Sequence, residues 1–366
     1  MRTRFPILPL LILLLCPATA LQATDVSRFI DQAAIEHIMD QAAQEGFEGV
    51  IGISDQSGTF YQRAYGAAVK GKLPYSDETL IDIASITKQF TGAAILKLRE
   101  QRKLRLTDRL DRFFPDIPSD KAAITLHQLL THTAGMPDLI GRDEEPISRK
   151  AYLARAFASP LVAQPGERYE YSNVGYSVLA AVIEVATGQT YEDYLFENLW
   201  QPAGMFTTGY YRPDWRGHTV PQIQEPIADL VSQKQLLEQT HANNWHLVGN
   251  GGLLSTASDM LKWHRALLGS GILTADSKAL LMAPHVSEGE EGFYYGYGWS
   301  VVPDFQGTKL VWHNGGSYFS RAEFWRLPES GFGIFIATHK EAVEPYFTAE
   351  ALAKLLVGAA EDTVQP

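Results

Sequence analysis

The 366-residue chain has a single cysteine, Cys16, and it lies inside an N-terminal stretch that reads as a secretory signal. The mature chain is therefore expected to hold no thiol and no disulfide, so packing must stabilise it. Lipid attachment at Cys16 is the alternative, but bulky Leu15 stands where lipoprotein processing favours a small residue. After the apolar run 7–15, no stretch is long and apolar enough to span a bilayer. Nor is there a basic run. The formal charge is −11, and it becomes −13 once Arg2 and Arg4 leave with the signal. An acidic surface of this kind argues against nucleic acid and anionic membranes as partners. The chain also lacks internal repeats, low-complexity linkers, a His-Glu-x-x-His pair and a Gly-x-Ser-x-Gly elbow. His127 with His132, and His241 with His246, are five apart, which is not the i, i+4 spacing of a helical zinc pair. Neither metal nor cofactor is expected, and an α/β-hydrolase triad has no nucleophile here.

Turning to what is present, 45% of residues are hydrophobic and 20% charged, enough to bury a large core. Arg2 and Arg4 precede the apolar run, and Ala18-Thr19-Ala20 offers a small-x-small cleavage site with Leu21-Gln22-Ala23 just beyond. Residues 1–23 are thus read as a signal peptide, cleaved after Ala20 or Ala23, and the protein as periplasmic or secreted. Helical periodicity covers 26–44. Strands are predicted over 47–54 and 59–65, joined by Asp55-Gln56-Ser57-Gly58, and again over 295–302, 308–313, 321–327 and 333–338. The middle, about 83–284, is mostly helical by pattern, and a last amphipathic helix covers 345–360. Strands at both ends with helices between predict one sheet built from the two termini, with a helical lobe inserted. The sheet lobe is about 24–82 and 290–366, the helical lobe about 83–289, and a cleft is expected where they meet.

Three short motifs carry the chemistry. Ser85-Ile86-Thr87-Lys88 opens a helix-forming run, which puts Ser85 in its first turn with Lys88 on the same face. There the Ser85 N–H is unpaired and the helix dipole favours negative charge, as an oxyanion donor requires. Buried, Lys88 can lower the pKa of a neighbouring base or serve as the base. The plainer alternative is a capping serine beside a surface lysine. Tyr171-Ser172-Asn173 lies on a predicted loop tip after Pro165-Gly166-Glu167, where Tyr171 can act as general base and Asn173 can orient Lys88. Alternatively, Tyr169 and Tyr171 merely pack the lobe. Third comes His313-Asn314-Gly315-Gly316: paired glycines at a strand edge mark a close approach, and the Gly316 N–H is a candidate second oxyanion donor.

With these motifs the chain resembles the serine-reactive penicillin-recognising hydrolases: class C β-lactamases, D-alanyl-D-alanine carboxypeptidases and related esterases. Tyr171-Ser172-Asn173 matches the Tyr-x-Asn form of the class C branch. Two further stretches look like family landmarks, Leu129-Leu130-Thr131-His132-Thr133-Ala134-Gly135 and Gly251-Gly252-Leu253-Leu254-Ser255-Thr256-Ala257-Ser258-Asp259-Met260. The implied fold is α/β (α+β): an antiparallel sheet flanked by terminal helices, an inserted mostly helical lobe, and the active site in the cleft between. The resemblance implies Ser85 as the acylated nucleophile and Lys88 with Tyr171 as the proton-transfer pair. It further implies Asn173 in positioning and His313, Asn314 and Gly315 as the substrate-binding strand.

One departure matters. His313 stands where many β-lactamases have lysine, so ester or D-amino-acid peptide cleavage is expected ahead of β-lactam turnover. An unperturbed His313 would carry charge only below about pH 6.5. The alternatives are a class C β-lactamase proper, or a catalytically silent protein of the same fold that binds peptidoglycan peptides. The expected partner is a small-molecule or peptide substrate, which includes cell-wall peptides. The aromatics Tyr210, Tyr211, Trp215 and Trp245 are expected to roof the cleft, with Tyr294, Tyr295, Tyr297 and Trp299 adding to it or packing the core.

Overall fold

The structure, a computed structural model, describes residues 30–210, 218–221, 244–340 and 344–362. The stretch 1–23, read from the sequence as a signal peptide, therefore lies outside the described residues. The N-terminal end supplies helix α1 (Gln32–Gln44) and strands β1 (Gly49–Ser54) and β2 (Thr59–Tyr65). Two short ladders pair β3 (Ala67–Val69) with β4 (Leu73–Pro74), and β5 (Ile81–Asp82) with β6 (Leu254–Ser255). The middle is mostly helical, as its pattern predicts: α2 (Lys88–Glu100), α3 (Ser119–Ala122), α4 (Leu126–Leu130), α5 (Arg149–Ala158), α6 (Asn173–Thr187), α7 (Tyr191–Leu195) and α8 (Gln201–Ala203). Then follow α9 (Ala257–Leu268) and α10 (Ala275–Leu281). The C-terminal end supplies β7 (Val286–Ser287), β8 (Tyr294–Tyr295), β9 (Ser300–Phe305), β10 (Thr308–Gly316), β11 (Arg321–Leu327), β12 (Phe332–Thr338) and α11 (Pro345–Asp362).

The termini meet in one sheet of order β2-β1-β12-β11-β10-β9-β8-β7, antiparallel throughout. The seam is β1 with β12, in unbroken register from Gly49↔Thr338 to Ser54↔Gly333. Because side chains alternate across a strand, β1 feeds two cores. Ile51 and Ile53 pack with Trp325, Ile334 and Ile336 beneath the terminal helices α1 and α11. Val50 joins Val311, Ala322, Phe324 and Phe335 on the opposite face, under α2 and α9. Both faces are covered, so all six residues of β1 are buried.

Three details differ from the sequence reading. The strand expected over 295–302 is broken between β8 and β9. Gly298 adopts φ +83, and a Cβ there would sit 2.4 Å from the Lys88 carbonyl oxygen, so the chain turns at the point where it meets α2. Strand β10 runs through Gly316, three residues beyond the expected end. The β5–β6 ladder has two residues per strand, too few to leave a period in the sequence.

Candidate active site

The site begins where β5 hands over to α2. Ala84–Thr87 forms a 3₁₀ turn that carries Ser85 directly into the helix. Ala84 has φ +42, a left-handed conformation that costs about 1–2 kcal/mol for a non-glycine residue. Asp82 Oδ1 holds it there by accepting the Ala84 N–H at 2.8 Å. The last residues of β10 pass this turn at contact distance. A Cβ on Gly315 would lie 2.2 Å from the Ile83 carbonyl oxygen, so only glycine fits. Strand β9 pairs with β10 only as far as Trp312, which leaves the edge of His313–Gly316 turned toward the nucleophile's turn.

Lys88 is fully buried, and its Nζ lies 3.0 Å from Ser85 Oγ. It donates to Asn173 Oδ1 at 2.7 Å and to the Asn250 carbonyl oxygen at 2.8 Å. Its ammonium is costly to bury, and desolvation pulls the pKa from 10.5 down to about 7 against the opposing charges of Asp138 and Asp143. The orientation of Asn173 is fixed, because its Nδ2 donates to Asp138 Oδ1 at 2.8 Å, leaving Oδ1 for Lys88. The Nζ also stands 4.7 Å from the centre of the Tyr171 ring.

Burial raises the Tyr171 phenol above the ordinary value of 10, against the opposing influence of the Ser85 side chain. At rest the phenol is neutral, and of the pair it is the lysine that is poised to lose a proton near neutrality. The Tyr171–Asn173 loop is seated on residues 132–138. Ser172 N–H donates to His132 Nδ1 at 2.9 Å, and Ser172 Oγ donates to the Pro137 carbonyl oxygen at 2.8 Å. Ser172 also caps α6 by accepting the Gly175 N–H at 2.9 Å.

The third motif divides between the two faces of its strand. His313 is 4% exposed, and both ring nitrogens are occupied. Nδ1 donates to the Asn314 carbonyl oxygen at 2.6 Å, while Nε2 accepts from Tyr295 Oη at 3.0 Å. Burial, with Lys88 nearby, pushes its pKa down to about 3. The switch expected near pH 6.5 is therefore absent, because the imidazole is neutral and has no free nitrogen for a substrate. Asn314 is exposed and registers with Glu323, whose carboxyl oxygen accepts from Trp325 Nε1 on the terminal-helix side of the sheet. Its side chain faces away from His313.

Ser85 and Gly316 line the same cleft, which holds about 680 Å³ of open space. Asp82, Asp143, Glu144, Asn173 and Asn250 add polar groups, and Leu139 and Tyr318 form an exposed apolar rim. No lysine, arginine or histidine is found among the described residues that line it. Burial and the neighbouring carboxylates raise the Asp143 carboxyl to about 6. Of the expected aromatics, Tyr295, Tyr297 and Trp299 are buried in the core, and Tyr210 is tied to the Leu247 and Gly251 carbonyls. Tyr211 and Trp215 lie outside the described residues. Sequence reasoning missed Asp82, Asp138 and Asn250. Only Asn250 carried a signal, the glycine run Gly249-Asn250-Gly251-Gly252 just before β6. No cluster of described residues has the makings of a metal site, and no described helix is long and apolar enough to cross a membrane.

Known proteins are similar to this chain in sequence and in fold. The chain is 27% identical over 286 residues to penicillin-binding protein 4* of Bacillus subtilis, covering 74% of this chain and 63% of that protein. It is 32% identical over 196 residues to protein flp of Staphylococcus aureus, covering 50% of this chain and 39% of that one. The chain thus spans less than two thirds of these relatives' length. An octameric penicillin-binding protein homologue from Pyrococcus abyssi superposes with a TM-score of 0.79 at 27% identity, over 90% of this chain and 78% of that one. The D-amino acid amidase of Ochrobactrum anthropi, solved with L-phenylalanine, shares the fold with a TM-score of 0.74 at 21% identity, over 90% and 99%. Residues 32–359 match the family model described as Beta-lactamase, and the chain belongs to that family of β-lactamase- and penicillin-binding-protein-like serine hydrolases.

Proposed function

We propose that this chain is an exported serine hydrolase that cleaves ester or amide bonds through an acyl-enzyme on Ser85, with weak or no β-lactamase activity. The observation that carries the reading is the coordination of Lys88 Nζ. Two of its three partners, Asn173 Oδ1 and the Asn250 carbonyl, can only accept. A neutral amine has two N–H groups and one lone pair. With both N–H groups committed, the lone pair is left for the hydroxyl proton of Ser85 at 3.0 Å. Ser85 Oγ gives that proton to Nζ as it bonds to the substrate carbonyl carbon. The carbonyl oxygen takes the negative charge and accepts from the Ser85 and Gly316 N–H groups. Tyr171, a neutral phenol, serves with Lys88 to return the proton to the leaving group, and water then releases the acyl group. Asn173 orients Lys88, and the main chain of Gly315 and Gly316 receives the substrate edge-on.

Specificity follows from charge. Penicillins and D-alanine-terminated peptides carry a carboxylate, whereas the described lining of the cleft offers them carboxyl groups and no cationic side chain, and the buried His313 is neutral. Neutral esters, and amides or peptides without that charge, lose nothing. The D-amino acid amidase with the same fold is consistent with amide substrates. Steady-state turnover of aryl esters, D-amino-acid amides and peptides, and penicillins tests the reading. Esters or amides should be hydrolysed faster than any penicillin. Turnover confined to penicillins would overturn the specificity, and no turnover of any class would overturn the activity.

A further inference from the structure

His132 belongs to a landmark motif that the chemistry above leaves without a task. It is 1% exposed and adopts φ +56, the left-handed conformation that side chains avoid. Strain of that kind persists only where surrounding contacts impose it. Two of the contacts here fall on the second motif itself. Nδ1 accepts the N–H of Ser172, the amide that joins Tyr171 to Ser172, at 2.9 Å. The imidazole lies 4.3 Å from the Tyr171 ring, tilted by 33°, and 4.9 and 4.6 Å from the rings of Tyr176 and Tyr295. The His132 carbonyl accepts the Glu170 N–H at 2.8 Å, one residue before Tyr171. Because Nδ1 is an acceptor, the proton is on Nε2, and that nitrogen is buried with no hydrogen-bond partner among the described residues. A buried donor left unpaired costs about 1–3 kcal/mol.

We infer that His132 is a positioning residue for Tyr171, fixing the phenol against Ser85 from beneath by an amide anchor and a ring face. The inference rests on the proposed roles of Ser85 and Tyr171. It assigns His132 no proton transfer, since the ring is shut away from the cleft and stays neutral. Its effect is geometric, and misplacing a reacting group by about 1 Å can cost on the order of 100-fold in rate.

The test is the rate at which a fluorophosphonate labels Ser85 in the full chain, for His132→Phe and His132→Asn, each alone and combined with Tyr171→Phe. Phenylalanine keeps a ring and loses the acceptor. Asparagine loses the ring but keeps an oxygen able to take the Ser172 N–H. His132→Phe should slow labelling on the order of 100-fold, and His132→Asn on the order of tenfold. In the Tyr171→Phe background, where no hydroxyl remains to be positioned, each should cost less than about twofold. Equal costs in both backgrounds would make His132 a structural residue and overturn the inference. Should His132→Phe fail to fold, the asparagine pair decides by the same comparison. A chain that is not labelled at all would overturn the proposed activity and this inference together, whereas labelling with additive costs overturns the inference alone.

Discussion

Asp138→Asn should make acylation of Ser85 faster in mild acid. Lys88 loses its proton near pH 7 rather than 10.5, because the protein buries it. At pH 7 about half of such lysines are neutral, against about one in 3,000 at the ordinary value. Asp138 opposes the shift: its carboxylate is the largest of the charges that favour the ammonium. It acts across the Asn173 side chain, with Asp138 Oδ1 accepting both Asn173 Nδ2 at 2.8 Å and the Asn173 N–H at 3.2 Å. An asparagine whose Oδ1 takes that place keeps both bonds and removes only the charge. A nearby charge moves a pKa by about 1–3 units, and the intervening amide argues for the lower end. A fall from about 7 to about 6 raises the neutral fraction at pH 6 from about a tenth to about a half. Fluorophosphonate labelling of Ser85 should then be about fivefold faster at pH 6 and unchanged or slightly slower at pH 9, where a less basic amine is a weaker proton acceptor. The assay is the pseudo-first-order labelling rate between pH 5 and 9, followed by intact mass. A midpoint that stays put or moves upward would mean that Lys88 is not the group whose titration limits the rate.

Further outcomes follow from the same geometry. The ratio of kcat/KM for an anionic substrate to that for its neutral isostere should not change between pH 5 and 8, since His313 stays neutral down to about 3; a rise through pH 6.5 would mean that the imidazole meets the substrate. The depressed pKa of His313 gives stability that is present above about 6.5 and lost as pH falls toward 3, by up to about 1.4 kcal/mol per unit. His313→Gln should make the urea midpoint less sensitive to acid over that window, and an unchanged slope would contradict its burial. Glu323 has the opposite sign. Its carboxyl is raised to about 8 mainly by burial, so the stability it contributes is present below about 4.5 and lost as pH rises through 8. Glu323→Gln should therefore raise Tm at pH 8 more than at pH 5, and equal shifts would show that the carboxyl is not desolvated. Gly315→Ala should reduce labelling of Ser85 by on the order of 100-fold, since its methyl meets the Ile83 carbonyl at 2.2 Å and must displace the nucleophile's turn; near-normal labelling would show that the contact relaxes freely.

Much of the architecture was legible in the chain because both periods are strong. The strands from both termini alternate, the middle segments repeat at helical spacing, and Ser85, Lys88 and Tyr171 converge from places where local signals had put them. Other features depend on neighbours distant in sequence. The break at Gly298 exists because α2 passes beside it, which no local pattern records. Asp138 looks like a loop acid until Asn173, 35 residues later, is found donating to it. The largest revision, at His313, has the same origin. Its ordinary pKa was read from its residue type, but Tyr295 and the Asn314 carbonyl occupy both nitrogens, and burial does the rest. Asn314 was grouped with its neighbours by motif, although one residue along a strand turns a side chain to the other face.

The central claim is that Ser85 forms the covalent intermediate. Its most direct test is peptide-level mass spectrometry of the whole chain after brief treatment with a fluorophosphonate, alongside Ser85→Ala. The account predicts one adduct per chain, on the peptide that contains Ser85, and none in the variant. An adduct on another residue, or equal labelling of Ser85→Ala, would contradict it.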